Sequence, residues 1–393
     1  MKYNQHHIFH DIIIFLLFLE MGSVFSVFFS GGIISMCILA LCFFYCLLHN
    51  KKISQNLVIA MGAFVLFFVL SSIFTRTNIS LYYGLAIRLL GIIFIYSVFD
   101  GCISLLKISL KRVLQFIAVL GLLNIILINI IPELFFDKIS ATGFSVNTLF
   151  YIFNYNSFID IGPLRILRNQ GMFWEPGVFQ ITMNILLYIL LIEEEKPIAK
   201  CLLPIFLVVS TFSTTGFLVM GLIVTFAMHH AINHSHNPIR EKLLIFLFII
   251  LLIPIIYTNI NHKVAGDGSK STALRTYDLY MGINLIAHNP IWGIGLDPEV
   301  YLANTKDINM DVYEDIDIDV ERGNTNTIVS CACYLGIPFT LYFWRMIYHQ
   351  QLFRKKRLFF SIFVIMFFSE PLFGTAILFL ISMSAKLNKD YYM

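Results

Sequence analysis

The chain has 393 residues, of which 58% are hydrophobic and only 13% charged, with 39 Phe and a formal net charge of +3. That balance excludes a soluble globular protein, and the lack of a basic patch interleaved with aromatics argues against nucleic acid as a partner. No stretch outside the apolar runs carries enough patterned hydrophobics for a core of its own, so residues 1–393 read as one all-α, polytopic membrane domain.

A helix that crosses hydrocarbon needs roughly 17–25 apolar residues, and by that ruler the sequence predicts about twelve spans, within a range of about 11–13. They fall at 12–29, 31–48, 57–74, 81–99, 113–131, 177–192, 201–214, 216–229, 243–259, 326–344, 358–369 and 371–385. The N-terminal "MKYNQHHIFHDIIIFLLFLEMG" lacks a small-residue cleavage site and reads as a retained first helix. With that end inside, the inner connections, among them "HNKKISQN", "EEEKPIAK" and "RMIYHQQLFRKKR", hold most of the Lys and Arg. The positive-inside rule then places both termini in the cytoplasm. Two long loops face outward, a first over 132–176 and a larger one over 260–325. Connections longer than about 12–15 residues are usually functional or disordered.

Along the chain, the first notable charge is Arg88, inside the fourth predicted span in "LYYGLAIRLLGIIFIYSVF". An arginine at such depth costs about 2.5–3.5 kcal/mol on insertion scales, so it faces either a polar cavity or a carboxylate such as Glu20 or Glu370. Next comes "RNQGMFWEPG", Arg168 to Gly177, with Arg165 three residues before it. One reading makes Arg168 an interfacial anchor, Trp174 part of an aromatic belt, and Glu175 with Pro176 a helix start. The other has Arg165 and Arg168 bind anionic oxygens, Glu175 accept a proton, and Phe173 and Trp174 stack on a sugar or an isoprenoid chain.

The hydroxyl-rich "STFSTTGF" (Ser210 to Phe217) suits a tight turn or interrupted helix whose freed backbone groups the hydroxyls satisfy. In the larger outer loop, "STALRTYDLYMGINLIAHNPIWGIG" opens on a Ser/Thr cap and puts Leu274, Tyr277, Met281 and Leu285 on one helical stripe, predicting a helix flat on the outer membrane face. Arg275 on that helix either pairs with Asp278 at i+3 or meets a lipid-linked phosphate. The acidic run "DVYEDIDIDVE" has the carboxylates to hold Ca²⁺ or Mg²⁺ but lacks the glycine spacing of an EF-hand, and such a run is more often a solvated strand or loop; the four His of "HHAINHSHNP" read as cytoplasmic surface, with zinc a remote alternative. The seven cysteines lie in or at the ends of apolar runs, with no disulfide framework or zinc spacing, so no metal site is expected.

Four stretches, "RNQGMFWEPG", "STFSTTGF", "RTYDLYMGINLIAHNPIWGIGLDPEVY" and "NTNTIVSCACYLGIP", follow one another in that order. Together with a dozen spans and two dominant outer loops, the set resembles the O-antigen polymerase and ligase superfamily of bacterial inner-membrane proteins, over most of the chain beyond the third span. The resemblance implies a GT-C-like architecture and a metal-independent, cofactor-free glycosyltransferase. It implies an undecaprenyl-pyrophosphate-linked oligosaccharide as substrate, membrane lipid as surroundings and a chain-length regulator as candidate protein partner. A polymerase passes the growing glycan to an incoming repeat unit, whereas a ligase passes it to lipid A core. Similar ligases carry a His just before the Asn that opens the late span, and here Thr325 precedes Asn326, which weakens the ligase alternative.

On this reading Arg168, Arg275 and Arg88 hold the departing pyrophosphate, Glu175 takes the acceptor proton, and Arg165, Phe173, Trp174 and Asn326 bind substrate. The alternative from another class is a flippase or secondary transporter. Matched broken helices in two halves would mark one, and here the halves do not match.

Overall fold

The computed structural model describes residues 2–140, 143–161, 164–232, 257, 269–306 and 325–387. It is predominantly helical, and among the described residues six helices are long and apolar enough to cross a membrane, with three shorter apolar helices besides. Two compact units divide the chain, the first Met1–Val113 with Leu274–Met393 and the second Leu114–Ala273.

The first unit begins with α1 (Lys2–Glu20) and α2 (Val24–Phe29), where a single span was expected over 12–29. Ser23 separates them by accepting from the Ser26 N–H at 3.0 Å, a side-chain cap that starts a new helix. Next come α3 (Gly31–Leu48), α4 (Gln55–Thr75), α5 (Tyr83–Val98) and the start of α6 (Ile103–Ile130), whose residues from Leu114 on belong to the second unit. The 28 residues of α6 make a helix about 42 Å long at 1.5 Å per residue, beyond the roughly 30 Å of hydrocarbon. Its first turns absorb Lys107, Lys111 and Arg112, which the sequence had placed in an inner loop, and Arg112 is anchored at 2.9 Å to Asp11 of α1.

The remaining elements of this unit are α10 (Ser269–His288), α11 (Pro298–Lys306), α12 (Thr327–Tyr348), α13 (Lys356–Phe368) and α14 (Ala376–Met383). Tyr277, Met281 and Leu285, the stripe expected to lie on lipid, are instead buried in protein, and Leu285 packs with Ile294, Tyr301 and Cys333. The side chain of Leu274 lies outside the described residues. Helix α12 breaks at Gly336, where φ is 81°.

The break explains the glycines of "NPIWGIG". Pro338 has no N–H, and the Ile337 N–H donates to Pro290 O at 2.8 Å, so the carbonyls of Cys333 and Tyr334 lose their helical donors. The N–H groups of Ile294 and Gly295 replace them at 2.9 and 3.0 Å. Gly293 and Gly295 have φ of 69° and 81°, so the loop can press its backbone against the open turn.

The second unit corrects the all-α expectation. The first long loop folds into β1 (Phe136–Ile139), β2 (Ser145–Leu149) and β3 (Phe153–Tyr155), an antiparallel sheet in that order. A two-stranded sheet of β4 (Phe158–Ile161) and β5 (Leu164–Leu167) follows, with Phe158 opposite Leu167. Short β-branched and aromatic segments separated by turns form such hairpins, and apolar-run length does not reveal them. Helices α7 (Pro176–Tyr188), α8 (Leu202–Ser210) and α9 (Thr214–Ile232) complete the unit. Every residue of α7 is buried, which makes it the unit's central helix. The span expected at 243–259 falls almost wholly outside the described residues.

A Cβ on Gly293 would sit 2.5 Å from the Cys333 carbonyl oxygen at an already left-handed φ. Gly293→Ala should therefore destabilise the first unit by about 1–3 kcal/mol, seen as a lower midpoint of thermal unfolding in detergent.

Candidate functional site

The four stretches singled out in the sequence meet in pairs, one pair in each unit. In the second unit, "RNQGMFWEPG" docks on the break between α8 and α9. Arg168 donates from Nε to Thr211 O at 2.9 Å, and Asn169 donates from its main-chain N–H to Ser210 O at 3.0 Å and from Nδ2 to Ser210 Oγ at 3.1 Å. The hydroxyls of the break serve the backbone, as expected: Thr211 Oγ1 accepts from the Ser213 N–H, and Ser213 Oγ accepts from the Gly216 N–H. Asn124 on α6 joins the network, donating to Asn169 Oδ1 at 2.9 Å and Asn154 O at 3.0 Å, while Asn154 donates to Gly171 O at 3.0 Å. Asn124, Asn154 and Asn169 are fully buried, and none was anticipated from sequence, where an isolated Asn gives no signal of its distant partners.

The expected ligand-binding side chains of this segment separate into core and rim. Phe173 is fully buried against Phe179 and so presents no ring face to a sugar, a correction to its expected stacking role. Arg165 is exposed and lies with its guanidinium carbon 3.2 Å from the Phe158 ring centroid. Trp174 is half-buried beside Phe144, and Glu175 is the half-buried N-cap residue of α7 with Pro176 at the first helical position. Glu175 makes no side-chain cap bond, so its carboxylate is not spent on the helix end. Both polar atoms of the Gln170 amide and the Trp174 indole nitrogen are buried with no protein hydrogen-bond partner among the described residues. Such groups are costly unless water or a polar ligand engages them.

In the first unit, "RTYDLYM…" and "NTNTIVSC…" come together at the start of α12. Asn326 caps that helix, accepting at Oδ1 from the N–H groups of Ile328 and Val329 at 3.0 and 3.1 Å. The Thr325 N–H donates to Asp278 Oδ2 at 3.2 Å, so Asp278 is engaged with the turn. Arg275 meets Glu370 instead of the i+3 carboxylate, with Nη2 to Oε1 at 3.8 Å. The two partners differ in exposure, 39% for the Arg275 side chain and 2% for that of Glu370. Thr327 ties this carboxylate's residue to α12, since its hydroxyl donates to Glu370 O and accepts from the Leu372 N–H.

Arg88 serves a second buried carboxylate, Glu20, at 2.5 Å from its Nε. The other oxygen of Glu20 accepts the Ala376 N–H at 2.9 Å, at the first residue of α14. Of the two sequence readings for Arg88, the ion pair with Glu20 is thus the one present. Glu370 had appeared only as a conceivable partner of Arg88. Its signal, a lone carboxylate in the apolar "FFSEPLFG", is weak until its neighbours are known. No group of three or more His, Cys, Asp or Glu able to hold a metal occurs among the described residues, and residues 311–321 of the acidic run lie outside them.

Residues 199–343 match the family model described as O-antigen ligase. The match is consistent with a member of the O-antigen polymerase and ligase superfamily, a family of glycosyltransferase-like membrane enzymes that transfer surface-polysaccharide glycans. No curated protein matches the chain.

Breaking a buried ion pair by removing one partner strands the other charge, typically at about 3–5 kcal/mol. Glu20→Ala should therefore lower the amount of folded protein in membranes more than the double variant Glu20→Ala/Arg88→Ala. Accumulation and detergent-phase melting of the three variants measure the difference.

Proposed function

We propose that the chain polymerises lipid-linked repeat units of O-antigen or a related surface polysaccharide. It transfers the growing glycan from undecaprenyl pyrophosphate to the non-reducing end of an incoming carrier-linked unit, on the periplasmic side of the bacterial inner membrane, with both termini cytoplasmic. The observation that carries the reading is Arg275, partly exposed and paired with Glu370, on the helix whose Asp278 holds the turn that opens α12, inside the segment matched by the family model.

The reaction needs two things from the protein. The acceptor hydroxyl must lose a proton as its oxygen attacks the anomeric carbon, and the departing diphosphate must be neutralised. A guanidinium offers forked donors to phosphate oxygens, and in a partly dry site it does this without a metal ion. Arg275 fills that role in the first unit. Arg168 and Glu175 flank the entry to α7 in the second unit, where the unpaired Gln170 amide and Trp174 indole add polar groups suited to a sugar. Glu175 is the proton acceptor favoured by sequence, and a chain-length regulator is the candidate protein partner.

Transfer to lipid A core is the second reading, favoured by the description of the matching family. Thr325 weighs against it, because similar ligases carry His at that position. A deletion strain complemented with Arg275→Ala, Arg168→Ala or Glu175→Gln separates the readings through its surface-glycan ladder. Loss of an electrostatic donor costs on the order of 10²–10³ in rate, enough to collapse a ladder. Single repeats on core mark a lost polymerase, and repeat units on carrier lipid with none attached mark a lost ligase. Units trapped in the cytoplasmic leaflet would indicate a flippase, and unaltered ladders from all three variants would refute the site. Transfer by the purified chain should persist in excess EDTA.

A further inference from the structure

We propose that the pocket at the C-terminal end of α12 holds the phosphate of an anionic phospholipid headgroup. It uses none of the residues assigned to glycan transfer and does not depend on that reading.

The pocket lies within the first unit, where the end of α12, the start of α13 and the segment after α14 meet, and it measures about 470 Å³. That volume falls in the range of small-molecule sites, roughly 300–1,000 Å³. Arg345, His349, Lys356 and Lys386 line it together with Tyr342 and Met346, and no acidic side chain does. The cations come from separate elements. Arg345 and His349 are one turn apart at the end of α12, Lys356 opens α13, and Lys386 follows α14.

Hydrogen bonds outside the lining hold these elements together. The Gln351 N–H donates to Ser384 Oγ at 3.0 Å and its Nε2 to Leu387 O at 2.9 Å, while Gln350 donates to Phe353 O at 2.9 Å and accepts from the Phe353 N–H at 2.7 Å. Lys356 Nζ reaches the His349 carbonyl at 3.5 Å, and the Arg345 and Lys386 side chains make no ion pair among the described residues. Like charges gathered by a braced frame attract an anion that neutralises them.

A second observation indicates that the anion is attached to lipid. Helix α12 is long and apolar enough to cross a membrane, and Ile337 and Leu341 are 39% and 66% exposed on it. Arg345, also exposed, continues that row at the same spacing of four residues. An acyl chain lying on Ile337 and Leu341 therefore brings its phosphate to Arg345, whose fork suits phosphate oxygens, with the lysines as point charges. A soluble phosphate would make no use of the apolar row. The charge of the lining selects among lipids as well. A choline or ethanolamine ammonium would meet cations and no carboxylate there, whereas a glycerol headgroup leaves the phosphodiester negative.

The test uses the full-length chain in phosphatidylcholine nanodiscs that carry a minor share of spin-labelled phosphatidylglycerol. The native chain should immobilise part of the label and melt at a higher temperature than in phosphatidylcholine alone. Arg345→Gln/Lys386→Gln should weaken retention by about 30-fold, roughly 5-fold for each cation removed, and abolish the rise in melting midpoint. Lys386→Gln alone, with about a 5-fold loss, carries the test if the double variant fails to accumulate. Lys355→Gln/Arg357→Gln removes two exposed cations outside the lining and should keep most of both effects. Equal losses in the two double variants would reduce the pocket to diffuse surface charge and overturn the proposal. Equal immobilisation of spin-labelled phosphatidylcholine would also overturn it, as would displacement of the label by millimolar inorganic phosphate, the mark of a site for a soluble anion.

Discussion

Interrupting a helix in or near hydrocarbon frees backbone N–H and C=O groups that have no water to satisfy them, and the first unit meets that demand with charge. The Ser369–Thr375 connection ends α13 and starts α14, and the two groups it most needs to satisfy are claimed by Glu20, at the Ala376 N–H, and by Thr327, at the Leu372 N–H. A carboxylate at a helix N-terminus is electrostatically favourable. It still has to be neutralised in a low dielectric, and Arg88 does so from α5. One interrupted helix thus accounts for a glutamate at the end of α1 and an arginine within a span that would otherwise cost several kcal/mol to insert.

The second unit meets the same demand mostly with hydroxyls and amides, helped by one arginine. The break between α8 and α9 is closed by Thr211 and Ser213 hydroxyls, and its outward carbonyls are taken by Asn169 and Arg168. Asn124 and Asn154 extend the network through α6 and the first sheet, so the strands are tied to the helices by amides. Buried amides avoid the desolvation cost of ions, and a network in which most members are satisfied rigidifies its surroundings. Gln170 departs from that pattern, with its whole amide unpaired beside the network. A polar group buried at a cost without a protein partner is the feature expected where a hydroxylated ligand or water completes the shell.

Several of the long apolar helices were legible because hydrocarbon imposes a length and a polarity that a single sequence displays. The expected span 31–48 coincides with α3, and the spans expected at 57–74 and 326–344 lie within α4 and within one residue of α12. The hydroxyl-rich break at Ser210–Ser213 was legible for the same reason, since it interrupts an apolar run. What escaped depends on partners distant in sequence. The strands of residues 136–167 are too short for periodicity to distinguish them from loop, and Ser23 gives no sign that it will cap a new helix instead of lying within one. Arg275 was noticed for its charge, but its partner is Glu370, and the nearer Asp278 turned instead to Thr325. The stripe of Tyr277, Met281 and Leu285 was read correctly as one face. Its occupant was not, because periodicity identifies an apolar surface without saying whether lipid or protein covers it.

The two arginine–glutamate pairs of the first unit differ in how firmly they are tied into the architecture. Burying an ion pair yields little net stability, since the desolvation of both charges offsets most of their attraction. A pair that survives in such a place has another reason to be there. For Arg88 and Glu20 the reason is architectural: the contact is short, both Glu20 oxygens are used, and the carboxylate closes a helix start. Between Arg275 and Glu370 the contact is longer and the arginine is partly in solvent. The helix start of α12 is capped by the neutral Asn326. A longer, partly solvated pair beside a helix start already closed by a neutral cap is less committed to the architecture than the Arg88–Glu20 contact.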